Sequence, residues 1–158
     1  MRDVETLKGL LERVQSAGAE HSPVLDAHAI CTLIAPPEAF VSLGPISGAP
    51  RICIGKMRDG RDKVWEPWLE WRLTHPTVSV DAALLLTEHA LPGACTEVTL
   101  NASKDGRRIS TAFIRLGDHD IGECWEAATA PLAICAALLS ALLAQAEAPS
   151  TSAGGKDA

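Results

Sequence analysis

Tyrosine is absent from this chain of 158 residues, and phenylalanine and methionine occur only twice each, so aromatic bulk rests on four tryptophans. The five cysteines, Cys31, Cys53, Cys95, Cys124 and Cys135, include no C-x-x-C pair, which argues against a zinc ribbon or a thioredoxin-like redox motif. They sit among apolar or small neighbours, where a reduced thiol packs as a small hydrophobe, and this points to a reducing cytosol. No G-x-S-x-G, S-x-x-K or H-E-x-x-H occurs. The Gly-rich stretch Gly44-Pro45-Ile46-Ser47-Gly48 does not follow a strand and open a helix, so it offers no amide cradle for phosphate. These absences speak against an enzyme built on a known motif and point to no cofactor. Positive charge is also in deficit: fourteen Lys+Arg against twenty Asp+Glu leave a net charge of -6, which disfavours nucleic acid as a partner.

What is present is the composition of a globular domain, with 47% hydrophobic and 22% charged residues. Leu7, Leu10, Leu11 and Val14 recur at helical spacing between Asp3 and Ser16. Ser22-Pro23 starts a second helix carrying Leu25, Ala29, Ile30, Leu33 and Ile34, which Pro36-Pro37 stops. A short strand is expected over Phe40–Leu43. Arg51–Ile54 and Lys63–Trp65 form a hairpin about Asp59-Gly60. Ser79 caps a third helix in which Val80, Ala83, Leu84 and Thr87 fall on one face, with His89 as a favourable charge near its C-terminus. Cys95–Asn101 and Arg108–Leu116 alternate in polarity as a second hairpin, followed by a brief edge strand at Ile121–Cys124. The last helix runs from about Pro131 to Gln145.

Ala127 to Ala146 is twenty residues long, without charge and with nine alanines, the length that spans a bilayer. Its flanks are Glu123, Glu126 and Glu147 rather than Lys and Arg, so a buried helix of a soluble protein is expected and no membrane. The order of elements gives an α+β fold, a mainly antiparallel sheet covered by helices in an α/β/α sandwich. One domain is expected over residues 1–147, followed by a disordered tail over 148–158.

Two groups of residues exceed what folding needs. Trp65, Trp68 and Trp71 fall within seven positions, directly after Arg51, Lys56, Arg58, Arg61 and Lys63, five cations against Asp59 and Asp62. Tryptophan concentrates binding energy at interfaces, and basic residues beside it suit an acidic partner. Packing over a sheet, or lysines and arginines guarding a hairpin edge, accounts for the same residues. The second group, Asp118, His119, Asp120 and Glu123, has the donors for a cation but lacks the spacing of a calcium loop, so a solvated acidic turn is expected. His28 stands two residues from Asp26, and such neighbours on a helix do not face each other.

Three stretches carry a resemblance. They are Leu7–Val14 with Val24-Leu25-Asp26-Ala27-His28-Ala29-Ile30, then Thr77-Val78-Ser79-Val80-Asp81-Ala82-Ala83-Leu84-Leu85-Leu86 with Leu91-Pro92-Gly93, and finally Glu126-Ala127-Ala128-Thr129-Ala130-Pro131-Leu132-Ala133-Ile134-Cys135 continuing to Leu139. Together they resemble the phage ABA-sandwich domain family, small proteins of tailed phages and prophages with helix/sheet/helix layering. The chain departs from that pattern at Ala130, inserted between Thr129 and Pro131, and in the long stretch from Ala35 to Glu66. The resemblance implies a fold and brings no catalytic residue with it. With the residues above, it leads to the expectation of a phage or prophage accessory protein in the cytoplasm of a bacterial host. Such a protein binds another protein, of phage or host origin, for instance to interfere with a host defence system. The alternatives are a small-ligand or metal-binding domain and a self-associating structural protein.

Overall fold

The computed structural model describes residues 3–44 and 47–148, with the side chains of 101–104 left aside; the expected tail from 149 onward lies outside these residues. Each main helix begins where a hydroxyl or carboxylate satisfies a free amide of the first turn. Asp3 accepts from Thr6 N–H at 2.8 Å to open α1 (Val4–Ser16), and Ser22 accepts from Leu25 N–H at 3.2 Å to open α2 (Pro23–Leu33). The strands β1 (Phe40–Leu43), β2 (Pro50–Lys56) and β3 (Asp62–Val64) follow, then the single turn α3 (Trp68–Trp71) and α4 (Val80–Ala90), capped by Ser79. The chain closes with β4 (Ala94–Lys104), β5 (Arg107–Leu116), β6 (His119–Ala127) and α5 (Ala130–Glu147). Thr129 caps α5 through Leu132 N–H at 3.4 Å, so the inserted Ala130 leaves the cap intact.

The fold is α+β, with antiparallel strands and helices packed against them. The strands divide into two three-stranded sheets, ordered β1-β2-β3 and β4-β5-β6. In the second sheet the register runs Thr96↔Ile114 and Ile114↔Ile121, and β6 is longer than the brief edge strand expected from sequence. Burial alternates along β5, which turns one face of this sheet to the core and the other to solvent.

α5 is the centre of the molecule. Every residue from Ala130 to Leu143 is buried, because the helix packs on β4, β5 and β6 and also on α1 and α4. Its apolar surface all round is thereby covered, as a helix without a polar face requires. By length and composition α5 could cross a membrane; in this fold it is the core helix. On the far side, α2 packs against α1, β1 and β2 and joins the first sheet to the helical layer. α4 presents a different stripe from the expected one. Ala82, Ala83, Leu86 and Thr87 are buried, whereas Val80 and Leu84 are exposed, since the face toward α5 is set by the 83/86/87 spacing.

Candidate functional site

The stripe of α2 that faces inward contains one acid. Asp26 lies in the first turn, where the helix dipole favours a carboxylate, and Ala29, Ile30 and Leu33 follow it at i+3, i+4 and i+7 on an otherwise apolar face. It is only 3% exposed, so its charge must be met by the protein. Oδ1 accepts from Thr77 N–H at 2.8 Å and from Thr77 Oγ1–H at 2.6 Å. Oδ2 faces His21 Nε2 at 2.6 Å and His75 Nδ1 at 3.4 Å. The two imidazoles stand edge to face, ring centres 4.8 Å apart, and each is more than a third exposed.

The segment carrying two of these partners is fixed from behind. His75 adopts φ +52°, a left-handed conformation uncommon outside glycine, and its carbonyl accepts from Val78 and Ser79 N–H at 3.0 Å each. Pro76 O accepts from the Cys135 thiol of α5 at 3.6 Å. Burial pushes that thiol up to about 12, with the Asp26 charge adding to the effect, so it stays protonated and donates.

Asp26 and His75 form one wall of a cavity of about 470 Å³. Trp68 and Leu69 of α3, Arg72 directly after it, and Arg51 and Val64 of the first sheet line the same space. Arg51 Nε is buried and has no hydrogen-bond partner among the described residues. Arg72 is exposed at the rim, its Nε donating to Leu69 O at 3.3 Å.

The residues singled out from the sequence fall into separate places. Trp68 is buried at 7% exposure, and Trp65 and Trp71 are half-buried against the core; Trp68 and Trp71, three apart on one turn, point the same way. Trp71 meets the His89 ring edge-on at 5.1 Å, so His89 packs as well as marking a helix end. The tryptophans therefore serve packing first, and among them Trp68 lines the cavity. Lys56, Arg58, Arg61 and Lys63 are exposed around the β2–β3 turn. Lys56 Nζ pairs with Asp62 Oδ1 at 2.6 Å and holds that carboxyl below its ordinary range, and Arg61 Nε pairs with Asp59 Oδ2 at 2.6 Å. Among the described residues Arg58 and Lys63 have no ion pair.

The acidic turn is not drawn together. Asp120 pairs with Arg115 at 3.0 Å, and Glu123 contributes its N–H to Ser140 Oγ at 3.1 Å. Among the described residues, the group of three or more metal-capable side chains whose ligand atoms converge is His21, Asp26 and His75, all within 4.8 Å. Sequence reading missed this group. The available signal was an acid on an apolar helix stripe.

Comparison of the chain with protein-family models, with curated proteins and with solved structures finds no match.

Proposed function

We propose that the protein is a non-enzymatic accessory protein, of phage or prophage kind by its sequence resemblance, that acts in the bacterial cytoplasm by binding another protein. The occupant of its cavity is an acidic segment of that partner. Interference with a host defence system falls within this activity.

The observation that carries the reading is the Arg51 guanidinium, whose Nε is buried at the cavity wall without a hydrogen-bond partner among the described residues. A buried donor left unpaired costs about 1–3 kcal/mol, and an Arg51 side chain that turns to meet a carboxylate in the cavity recovers it. Guanidinium geometry matches a carboxylate, Arg72 adds a second fork at the rim, and Trp68 and Leu69 give apolar area beside them. Arg58 and Lys63 extend the positive field along the hairpin. A short acidic segment feels this local field within a Debye length of about 8 Å, whereas a long polyanion meets the net charge of -6.

The test is capture of partners from a bacterial host lysate, followed by titration of the captured protein, purified, against the wild type and an Arg51→Ala/Arg72→Ala variant. Charge-assisted contacts of about 1.5–3 kcal/mol predict binding at least about tenfold weaker in the double variant. Weakening with added salt is also expected. Equal affinity in the two proteins, or an affinity indifferent to salt, refutes the reading.

A further inference from the structure

We propose that His21 Nε2, Asp26 Oδ2 and His75 Nδ1 form a mononuclear site for a late first-row divalent cation, with Zn²⁺ the natural occupant of this donor set. The three ligand atoms come from the loop before α2, the first turn of α2 and the loop before α4, so only the folded chain assembles them.

Hydrogen bonding alone does not account for the arrangement. Thr77 satisfies Oδ1 with two donors, and His21 at 2.6 Å satisfies Oδ2. His75 Nδ1 converges on the same Oδ2 at 3.4 Å, too long for a good N–H···O bond. Two imidazoles thus aim ring nitrogens at one buried oxygen, the first at hydrogen-bonding distance and the second beyond it. Around a tetrahedral Zn²⁺ with bonds of about 2.0–2.1 Å, ligand atoms lie about 3.4 Å apart, which is the His75–Asp26 separation here. The widest separation within the group, up to 4.8 Å, exceeds the roughly 3.4 Å of the tetrahedral arrangement, so closure requires a movement of up to about 1.4 Å shared among the side chains. Both rings are more than a third exposed.

The outer shell is already in place. A metal-bound carboxylate is oriented by hydrogen bonds to its other oxygen, and the buried Thr77 supplies two. Imidazole nitrogens with one carboxylate oxygen suit zinc and its neighbours rather than calcium or magnesium, which take oxygen ligands. Three protein ligands leave a position for water, and Asp26 and His75 line the cavity, so that position is reached from it.

The site does not depend on the acidic-partner reading. The test uses the full chain with Cys95→Ser and Cys124→Ser, because these exposed thiols would compete for zinc. ZnCl₂ titrated calorimetrically is expected to bind one to one, and CoCl₂ to give the visible absorption of a four-coordinate ion. His21→Gln and His75→Asn each lower the affinity at least tenfold; Asn tolerates the left-handed backbone of position 75, so the turn survives. His119→Gln and Arg51→Ala/Arg72→Ala leave it unchanged. In the parent chain, zinc shifts the ring resonances of His21 and His75 but not those of His28, His89 or His119. Absence of one-to-one binding, retention of affinity in both histidine variants, or resonance shifts confined to other histidines overturns the proposal.

Discussion

At Gly122 the backbone of β6 lies tight against α5, and Gly122→Ala measures how tightly the core helix is seated. The residue has φ +74°, and a Cβ there meets Ser140 Oγ at 2.7 Å, Ala141 N at 2.9 Å and Ser140 C at 2.9 Å. Two of the three atoms are backbone of a buried helix and cannot swing away. The left-handed backbone costs alanine about 1–2 kcal/mol, and forcing a methyl into packed structure costs about 1–3 kcal/mol more. The sum, about 2–5 kcal/mol, is a large share of a domain stability of about 5–15 kcal/mol. Gly106→Ala is the control: it has φ +78° in the β4–β5 turn, but no atom lies within 4 Å of the new methyl, so it carries the backbone cost alone. Urea unfolding followed by circular dichroism reads both. At an m-value of about 2 kcal/mol/M, the Gly122 variant should lose about 1–2.5 M in midpoint, clearly more than the Gly106 variant. Adding Ser140→Ala removes the 2.7 Å contact but leaves both backbone contacts, and it deprives Glu123 N–H of its acceptor, so it recovers less than half the loss. Equal midpoints for the two glycine variants refute the close seating of α5 on β6.

The remaining predictions concern the thiols, one histidine and the buried acid. In the native state Cys95 and Cys124 should react with Ellman's reagent and the buried Cys31, Cys53 and Cys135 should not, all five reacting in denaturant; fast labelling of a third thiol contradicts the burial. Burial, with the Arg13 charge adding to it, holds His28 below its ordinary value of 6.5. The folded chain keeps that ring neutral while the unfolded chain takes up a proton. Stability from this group is therefore full above about pH 6.5 and falls as pH drops toward the folded value. His28→Gln should flatten this part of the pH dependence of the urea midpoint between pH 7 and 5, and an unchanged slope removes the assignment. Asp26→Ala strips the acceptor from the buried Thr77 N–H and from His21, an expected loss of about 1–3 kcal/mol in urea unfolding; a loss under about 1 kcal/mol would show that the carboxylate does not organise the site.

Features decided within a few residues were legible in the sequence. Ser22 and Ser79 each cap the helix that their spacing predicts, and the two hairpins turn where Asp-Gly pairs stand. The partition of the strands into two sheets was not legible, because alternation tells which face a residue occupies and not which strand lies beside it. The tryptophan cluster left two readings open, a binding surface and packing over a sheet, for a related reason. Its spacing defines a face, but only the packing of α3 on the core decides that the face turns inward. The basic hairpin was legible as composition, while the pairing of Lys56 with Asp62 and Arg61 with Asp59 had to be seen in three dimensions.

Asp26 marks the boundary between the two kinds of information most clearly. An acid on an apolar stripe implies a buried partner, since an unmet carboxylate there would destabilise the fold by several kcal/mol. That much follows from the spacing of Asp26, Ala29, Ile30 and Leu33. The identity of the partner does not: Thr77 lies fifty-one residues away, and His75, whose backbone takes φ +52°, lies in the same distant loop. Asp26 also lies in a stretch that carries the family resemblance, and that resemblance gave it no role. A polar residue at a core position is thus the place where a sequence states that a site exists while leaving its members to the tertiary structure, and the cluster of His21, Asp26 and His75 is assembled at that position.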